Sequence, residues 1–228
     1  MPRGYWIPHL DVPDMDKFQA YRTTADAWHT TNGSKLLARG GRREVMEGKM
    51  RARNVLREYN SYAVALAAYS SPEYTRAHAL REGHAICDFL IVEGYDGPQP
   101  PPIGAPPAPA PLKGYWIAQI DVTDADGYEP YTVANQTAFG KFGARYLVRA
   151  GQYEAMEGHA RTRHVVVEFP SYDAALACYR SPEYQAAKAL RVGNADIDLV
   201  VIEGYNGKNS AACPRPPPAL VPAAPAVT

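Results

Sequence analysis

Histidines are the side chains of this sequence best suited to acid–base chemistry near neutral pH, where imidazole titrates. His9 lies in a strand-like segment and is the candidate general base or acid. Trp28 and His29, which are adjacent on the first helix, and His84 are candidates to line the same cavity as His9. Each could equally be an ordinary packed or hydrogen-bonded residue. No HxH, HxxxH or HExxH spacing is present, so the sequence predicts no metal site.

Arginines and tyrosines form a second candidate group. Arg39 and Arg149 could each offer a guanidinium to a carboxylate or enolate oxygen. The chain has 16 tyrosines, and aromatic walls with a few polar tips suit a planar, oxygenated ligand. We expect Tyr21, Tyr69 and Tyr74 to shape such a pocket, although the same side chains also make good core.

Composition and missing motifs exclude several function classes. The 24 basic and 24 acidic side chains balance, without the basic excess that nucleic-acid binding requires. No GxGxxG, GxxxxGKS or GxSxG motif is present, which argues against nucleotide binding and a serine hydrolase. Three cysteines without CxxC spacing predict neither a disulfide framework nor a zinc site. We therefore expect no cofactor.

A duplication organises the chain. A shift of 110 residues aligns 4–97 with 114–207 without a gap, and the copies share about 40 identical residues. None of the six histidines has a histidine at its equivalent position, so any histidine chemistry is confined to one half. Several polar residues recur in both copies, among them Arg39/Arg149 and Tyr21/Tyr131, which favours a role, most often structural, in the shared unit.

Each copy predicts the element order β-α-β-β-α-β. A strand opens at Tyr5, and a helix follows, capped by Asp14 and ended by Gly33. A strand over about 35–39 turns near Gly40 and could continue to Met46, and a strongly β-branched strand follows. The next helix breaks before Pro72, and a last strand ends the unit. This order is the split βαβ of ferredoxin-like domains, which leaves one sheet face bare; the second copy can cover it.

The boundaries follow from composition. We expect a first repeat over 1–97, a proline-rich linker over 98–112, a second repeat over 113–207 and a Pro/Ala-rich, extended or disordered tail over 208–228. The linker is long enough to allow pairing of the two repeats within one chain. No signal-like or membrane-spanning apolar run is present, which predicts a soluble, cytoplasmic protein without membrane partners.

Recurring motifs carry a family resemblance. They are GYWI, MEG, RxRxV and SPEY, each present in both copies, with a final VEGY or IEGY. The chain resembles, twice over, the domain-of-unknown-function family 1330 of the dimeric α+β barrel superfamily. The resemblance implies two ferredoxin-like repeats packed sheet to sheet as an intramolecular barrel. It implies little chemistry, because that superfamily includes monooxygenases, isomerases, cyclases, haem proteins and binding proteins.

Three functional hypotheses remain open. The first is a small cofactor-independent enzyme acting on a hydrophobic oxygenated molecule, polyketide-like or from an aromatic pathway, by proton transfer leading to isomerisation, cyclisation or elimination. In it His9 is the acid or base and Arg39 steadies oxyanion charge. The second is a non-catalytic small-molecule-binding or scaffold protein. The third is a haem-binding or oxygen-using protein with His164 or His84 as axial ligand, and further homo-oligomerisation is compatible with all three.

Overall fold

A computed structural model describes residues 1–207. The tail predicted over 208–228, with Cys213, lies outside the described residues. Within 1–207 no helix is both long and apolar enough to cross a membrane.

The two repeats contain the same elements in the same order. The first repeat comprises β1 (Gly4–Asp11), α1 (Met15–Thr31), β2 (Lys35–Arg39), β3 (Arg43–Glu47), β4 (Arg53–Tyr59), α2 (Tyr62–Tyr69), α3 (Pro72–Ala79) and β5 (Ile86–Glu93). The second comprises β6 (Gly114–Val122), α4 (Ala125–Lys141), β7 (Arg145–Arg149), β8 (Tyr153–Glu157), β9 (Arg163–Phe169), α5 (Tyr172–Arg180), α6 (Pro182–Ala189) and β10 (Ala195–Glu203).

Two helices of the first repeat begin where the sequence predicts a cap or a break. The Asp14 carboxylate accepts hydrogen bonds from the main-chain N–H groups of Asp16 and Lys17 at the start of α1. The hydroxyl of Ser71 caps α3, and Pro72 is in its first turn, where a proline costs no hydrogen bond. The predicted break between α2 and α3 is therefore confirmed.

The repeats exchange one strand each. The two sheets have the orders β2-β4-β1-β5-β8 and β3-β10-β6-β9-β7, so β3 joins the sheet of the second repeat and β8 that of the first. The predicted continuation after Gly40 is thus a strand in the other sheet. Gly40 has φ 68°, a left-handed conformation that lets the chain leave its own sheet at this point.

The sheets face one another around a shared apolar core. Residues such as Ile7, Leu56, Ile117 and Val166 fill this inter-sheet core, while each outer face packs against its own helices. The seams close through main-chain hydrogen bonds, from Tyr205 N–H to the Leu37 carbonyl at 2.8 Å and from Tyr95 N–H to the Leu147 carbonyl at 2.9 Å. The predicted fold, an intramolecular dimeric α+β barrel, is confirmed.

The linker packs on the second repeat. The amide of Gln99 pairs with the main chain of Tyr146, accepting from its N–H at 2.7 Å and donating to its carbonyl at 3.2 Å. Gly140 permits the close approach, because a Cβ there would lie 2.1 Å from the Pro101 carbonyl oxygen. Thr30 occupies the equivalent position of the first repeat.

Candidate functional site

A cavity lies in the first repeat, between α1 and the outer face of its sheet. It has a volume of about 100 Å³ and opens to solvent. Trp6, Leu10 and Phe89 supply the apolar floor from β1 and β5, and Phe18 and Ala25 supply the wall from α1. An engineered apolar cavity of about 150 Å³ can hold benzene, so this one suits a ligand no larger than a single small ring.

The polar lining is dominated by cations. One carboxylate, that of Asp26, lines the cavity. Five arginines line it as well: Arg22, Arg39, Arg43, Arg53 and Arg57. Their side chains come from α1, β2, β3 and β4, so β3 brings a cation although it belongs to the other sheet. The excess of positive charge favours an anionic ligand.

Arg39 lies at the rim and is held from both repeats. Its guanidinium donates to Asp26 Oδ1 at 2.5 Å and to the Tyr205 hydroxyl at 3.2 Å, and it lies 5.0 Å from the centroid of the Tyr205 ring. These contacts raise the pKa of Arg39, although burial acts in the opposite direction. The Asp26 pair fixes the direction of the guanidinium, and Tyr205 belongs to the end of the second repeat.

Arg57 is the most unusual group of the cavity. The residue is 6% exposed, and its Nη1 donates to the Ser34 hydroxyl at 2.9 Å. Among residues 1–207 it has no carboxylate within ion-pair distance of 4 Å. Burial lowers the pKa of Arg57, as expected for a cation taken out of water. A buried cation without an anion is costly, and an anionic ligand would relieve that cost.

His29 contributes a neutral imidazole. Burial, together with the charges of Arg57 and Arg39, lowers the pKa of His29 to about 2. Its Nδ1 lies 3.3 Å from the Asn32 amide nitrogen and 3.4 Å from the Ser34 hydroxyl. Ser34 accepts from Arg57, and its hydroxyl and the Asn32 amide can both donate to Nδ1; in that arrangement the imidazole proton is on Nε2. His29 is thus a hydrogen-bond donor and a very weak base.

Tyr21 closes the inner end of the cavity. Its ring packs 4.9 Å from that of Phe18, and Arg81 lies 5.4 Å from the ring centroid. Burial raises the pKa of the Tyr21 phenol, so it remains protonated and can donate. Arg81 in turn pairs with Glu157 of β8, so the exchanged strand supports this wall.

The equivalent cavity of the second repeat is mostly filled. Its volume is about 40 Å³. Tyr146 replaces Leu36 there, and its hydroxyl lies 2.9 Å from the Gln136 amide nitrogen and 3.4 Å from Asn135 Oδ1. Arg149 lines this second cavity, where its guanidinium lies 4.8 Å from the Tyr146 ring centroid. Val167 stands where the first repeat has Arg57.

Three tyrosine and tryptophan candidates belong to the aromatic core beside the cavity. Trp28 packs 6.1 Å from the Trp6 ring, and Tyr74, 1% exposed, packs 4.8 Å from it. The Tyr69 hydroxyl donates to Glu157 Oε1 at 2.7 Å. None of the three lines the first cavity. His84 lies in the turn after α3 and does not line it either.

His9 lies on the opposite face of the sheet from the cavity. Its neighbours Trp6 and Leu10 face α1, so strand alternation turns His9 into the barrel interior. There it is 1% exposed, and its Nδ1 lies 2.6 Å from Asn54 Oδ1. Burial lowers its pKa. The structure therefore does not bring His9 together with Arg39, Tyr21 and His29.

Comparisons with known proteins agree with this architecture. The model of the Domain of unknown function (DUF1330) matches residues 3–95 and again 113–205. The chain belongs to the DUF1330 family. No curated protein matches the chain.

Solved structures show the same fold as this tandem DUF1330 chain. An anthrone oxidase-like protein is 9% identical with a TM-score of 0.52, covering 93% of this chain and 97% of its own. A protein described as a putative chlorite dismutase is 10% identical with a TM-score of 0.52, covering 90% and 96%. A putative monooxygenase from Lactobacillus acidophilus NCFM is 12% identical with a TM-score of 0.49, covering 89% and 94%. At these identities the two matches with a TM-score of 0.52 show the fold alone.

Sequence reasoning missed two groups of this DUF1330 pair. The residues equivalent to Asp26 and Arg57 in the second copy are Gln136 and Val167. A search for polar residues retained in both copies therefore does not find Asp26 and Arg57. The signal that could have found them is the opposite one. A charged residue in one copy that is replaced by a neutral residue in the other marks a place where the two halves differ in chemistry.

Proposed function

We propose that the first repeat binds a small oxyanion-bearing molecule, such as a carboxylate or enolate on a ring of modest size, in the cavity between α1 and the sheet. The observation that carries this proposal is the buried, carboxylate-free guanidinium of Arg57 at the cavity wall. Arg39, His29 and Tyr21 add further hydrogen-bond donors around the same space. The ligand's anionic oxygen would accept from them, and its ring would lie on Trp6 and Phe89.

We further propose that the protein is an enzyme and that its reaction is proton transfer at the carbon atom next to the oxyanion group of the ligand. Preorganised donors aimed at developing negative charge stabilise an enolate more than its parent ketone or acid. His29 is too weak a base for this step, and His9 is outside the cavity, so Asp26 is the proton acceptor that the geometry supports. Its Oδ1 is held by Arg39. Isomerisation, cyclisation or elimination could each follow from such a step.

The runner-up is a binding protein without catalysis. It is favoured by the salt bridge that already occupies Asp26. A haem or oxygen-using function has less support, because His164 and His84, the axial candidates, do not line the cavity, whose volume of about 100 Å³ is small for a macrocycle.

Binding is tested by calorimetric titration with benzoate and with benzamide, its uncharged analogue. We expect benzoate to bind and benzamide to bind at least about 10-fold more weakly, because charge-assisted hydrogen bonds contribute roughly 1.5–3 kcal/mol. Arg57→Val should lose the preference, and the control Arg149→Ala, which removes an arginine from the second cavity instead, should keep it. Equal binding of both probes, or loss of the preference in Arg149→Ala alone, would contradict the proposal.

Catalysis is tested by exchange of carbon-bound hydrogen for deuterium in small keto acids, followed by NMR. Wild type should accelerate the exchange, and Asp26→Asn should abolish the acceleration while still binding benzoate. Binding without any acceleration in wild type would identify a non-catalytic binding protein.

A further inference from the structure

A third cavity, which is polar, lies between the repeats, at one end of the barrel. It has a volume of about 310 Å³ and is lined by both halves of the chain. Leu37 and Leu147, equivalent residues of β2 and β7, form its apolar floor. Tyr5 and two glutamates, Glu58 and Glu168, stand above that floor. Its volume falls in the range of sites that bind small molecules, about 300–1,000 Å³.

The formal charges of the residues that line this cavity sum to zero. Three cations and three anions line it: Arg3, Lys35, Arg145, Glu58, Asp96 and Glu168. Because the cavity has no excess of either sign, it favours a ligand that itself carries both charges over a simple anion or cation.

The two glutamates are not equally neutralised. Glu168 accepts from Arg145 at 3.3 Å and from the Tyr115 hydroxyl at 3.4 Å. Glu58 accepts from the Tyr5 hydroxyl at 3.0 Å through Oε2. Within residues 1–207, Glu58 has no cation within 4 Å, although Lys35 is its direct neighbour in the β2–β4 register.

Lys35 and Glu58 therefore present an ammonium and a carboxylate side by side without pairing with each other. Tyr5 holds one oxygen of Glu58, and Arg145 adds a second cation across the axis that relates the repeats. An α-amino acid has an ammonium and a carboxylate separated by one carbon, which matches two such neighbouring groups of opposite sign.

We propose that this barrel-end cavity binds a free amino acid or a similar small zwitterion, with its ammonium on Glu58 and its carboxylate on Lys35 and Arg145. The site needs both repeats. In a symmetric dimer of identical units the two halves of such an axial site would be the same. Here Lys35 is the equivalent of Arg145 and Asp96 the equivalent of Asn206, so the two halves differ and an asymmetric ligand has one preferred orientation.

The test is NMR titration of the full chain with glycine and alanine, and with methylamine and acetate as half-probes. We expect saturable shifts with the amino acids and at least about 10-fold weaker binding of either half-probe, since each lacks one ion pair. Glu58→Gln should weaken amino-acid binding about 10-fold. The Gln oxygen can still accept from Tyr5, and an unchanged thermal midpoint would show that the variant folds.

Arg57→Val serves as the control that separates the two cavities. It removes the cation proposed for the first-repeat cavity and should leave amino-acid binding unchanged, so the two proposals can fail independently. An absence of saturable binding by the amino acids would overturn the inference. So would wild-type affinity in Glu58→Gln, because Lys35 and Glu58 would then simply be solvated neighbours.

Discussion

The outer cavities of the two repeats have the same backbone around them and different contents. The first is open and rich in hydrogen-bond donors, whereas the second is filled by Tyr146 and the amides that bind its hydroxyl. The supports around the two cavities are alike: Arg81 pairs with Glu157, and Arg191 pairs with Glu47. Duplication thus preserved the barrel in both halves and left an open site in one. The comparison teaches that the differences between the copies account for the open cavity in the first repeat and the filled one in the second.

The shared supports should respond equally in both halves. Arg81 is 3% exposed and Arg191 is 4% exposed, and each is paired with a glutamate of the strand exchanged from the other repeat. Glu157→Gln and Glu47→Gln should each destabilise the chain by about 3 kcal/mol, because a buried arginine loses its counter-charge. Urea unfolding measures this. A large cost for one variant and none for the other would show that the barrel itself is asymmetric.

The buried histidines at the other end of the barrel predict an acid sensitivity. His9 and His164 occupy positions held by Gln119 and Asn54 in the opposite repeats, and burial is the largest cause that lowers the pKa of each. The pKa of His164 falls from 6.5 to about 4. Charged groups act on this pair from the surrounding strands and loops: Asp88, Asp121, Asp198 and Arg51.

A base with a lowered folded-state pKa takes up protons more readily when unfolded. The stability of the fold should therefore be complete above about pH 6.5 and fall as the pH drops towards 4, by about 3 kcal/mol for His164. His164→Asn should flatten this part of the pH profile in urea unfolding, and the carboxylates that both proteins share cancel in the difference. Parallel profiles for the two proteins would show that His164 titrates normally when folded.

Closing the first cavity should remove ligand binding. Ala25→Asn with Leu36→Tyr gives the first repeat two of the three residues that fill the second, Asn135 and Tyr146. We expect benzoate affinity to fall at least about 100-fold, because the bulk excludes the ring. The matched variant Asn135→Ala with Tyr146→Leu should retain the first site. If the closed variant still binds benzoate with native affinity, the ligand binds elsewhere.

The smallest expected effect concerns the wall of the cavity. Phe18 corresponds to Tyr128, so Phe18→Tyr adds one hydroxyl to the apolar part of the lining that α1 supplies. We expect stability to change by less than about 1.5 kcal/mol and benzoate affinity by less than about 10-fold. Thermal unfolding and titration measure both. A larger effect than closing the cavity would mean that Phe18 contacts the ligand more closely than Arg57 does.

Much of the fold was predictable because it depends on local chemistry repeated twice. Asp14, Ser71 and Pro72 fixed helix boundaries through capping and the missing proline N–H. The strand exchange was not predictable, because the alternation of β3 reads the same whichever sheet it joins. From the sequence alone, the side chain of His9 could have pointed to either face of the sheet, towards the helices or into the barrel. A strand shows which residues share a face, but only the packed helices show which face holds the cavity.

The candidate site was predictable only in part. Arg39, Tyr21 and His29 were candidates from the sequence, and all three line the cavity. Arg57 could not be assigned, since one arginine in an alternating strand reads as an exposed residue, and its burial depends on how α1 and β2 cover it.

The central claim is that only the first of the two similar repeats has an open ligand site. A crystal structure of the chain with benzoate tests this claim most directly. We predict one bound molecule, in the first repeat, with its carboxylate within hydrogen-bond distance of Arg57 or Arg39 and its ring against Trp6 and Phe89. Benzoate in both repeats equally, or between the sheets beside His9, would contradict the account.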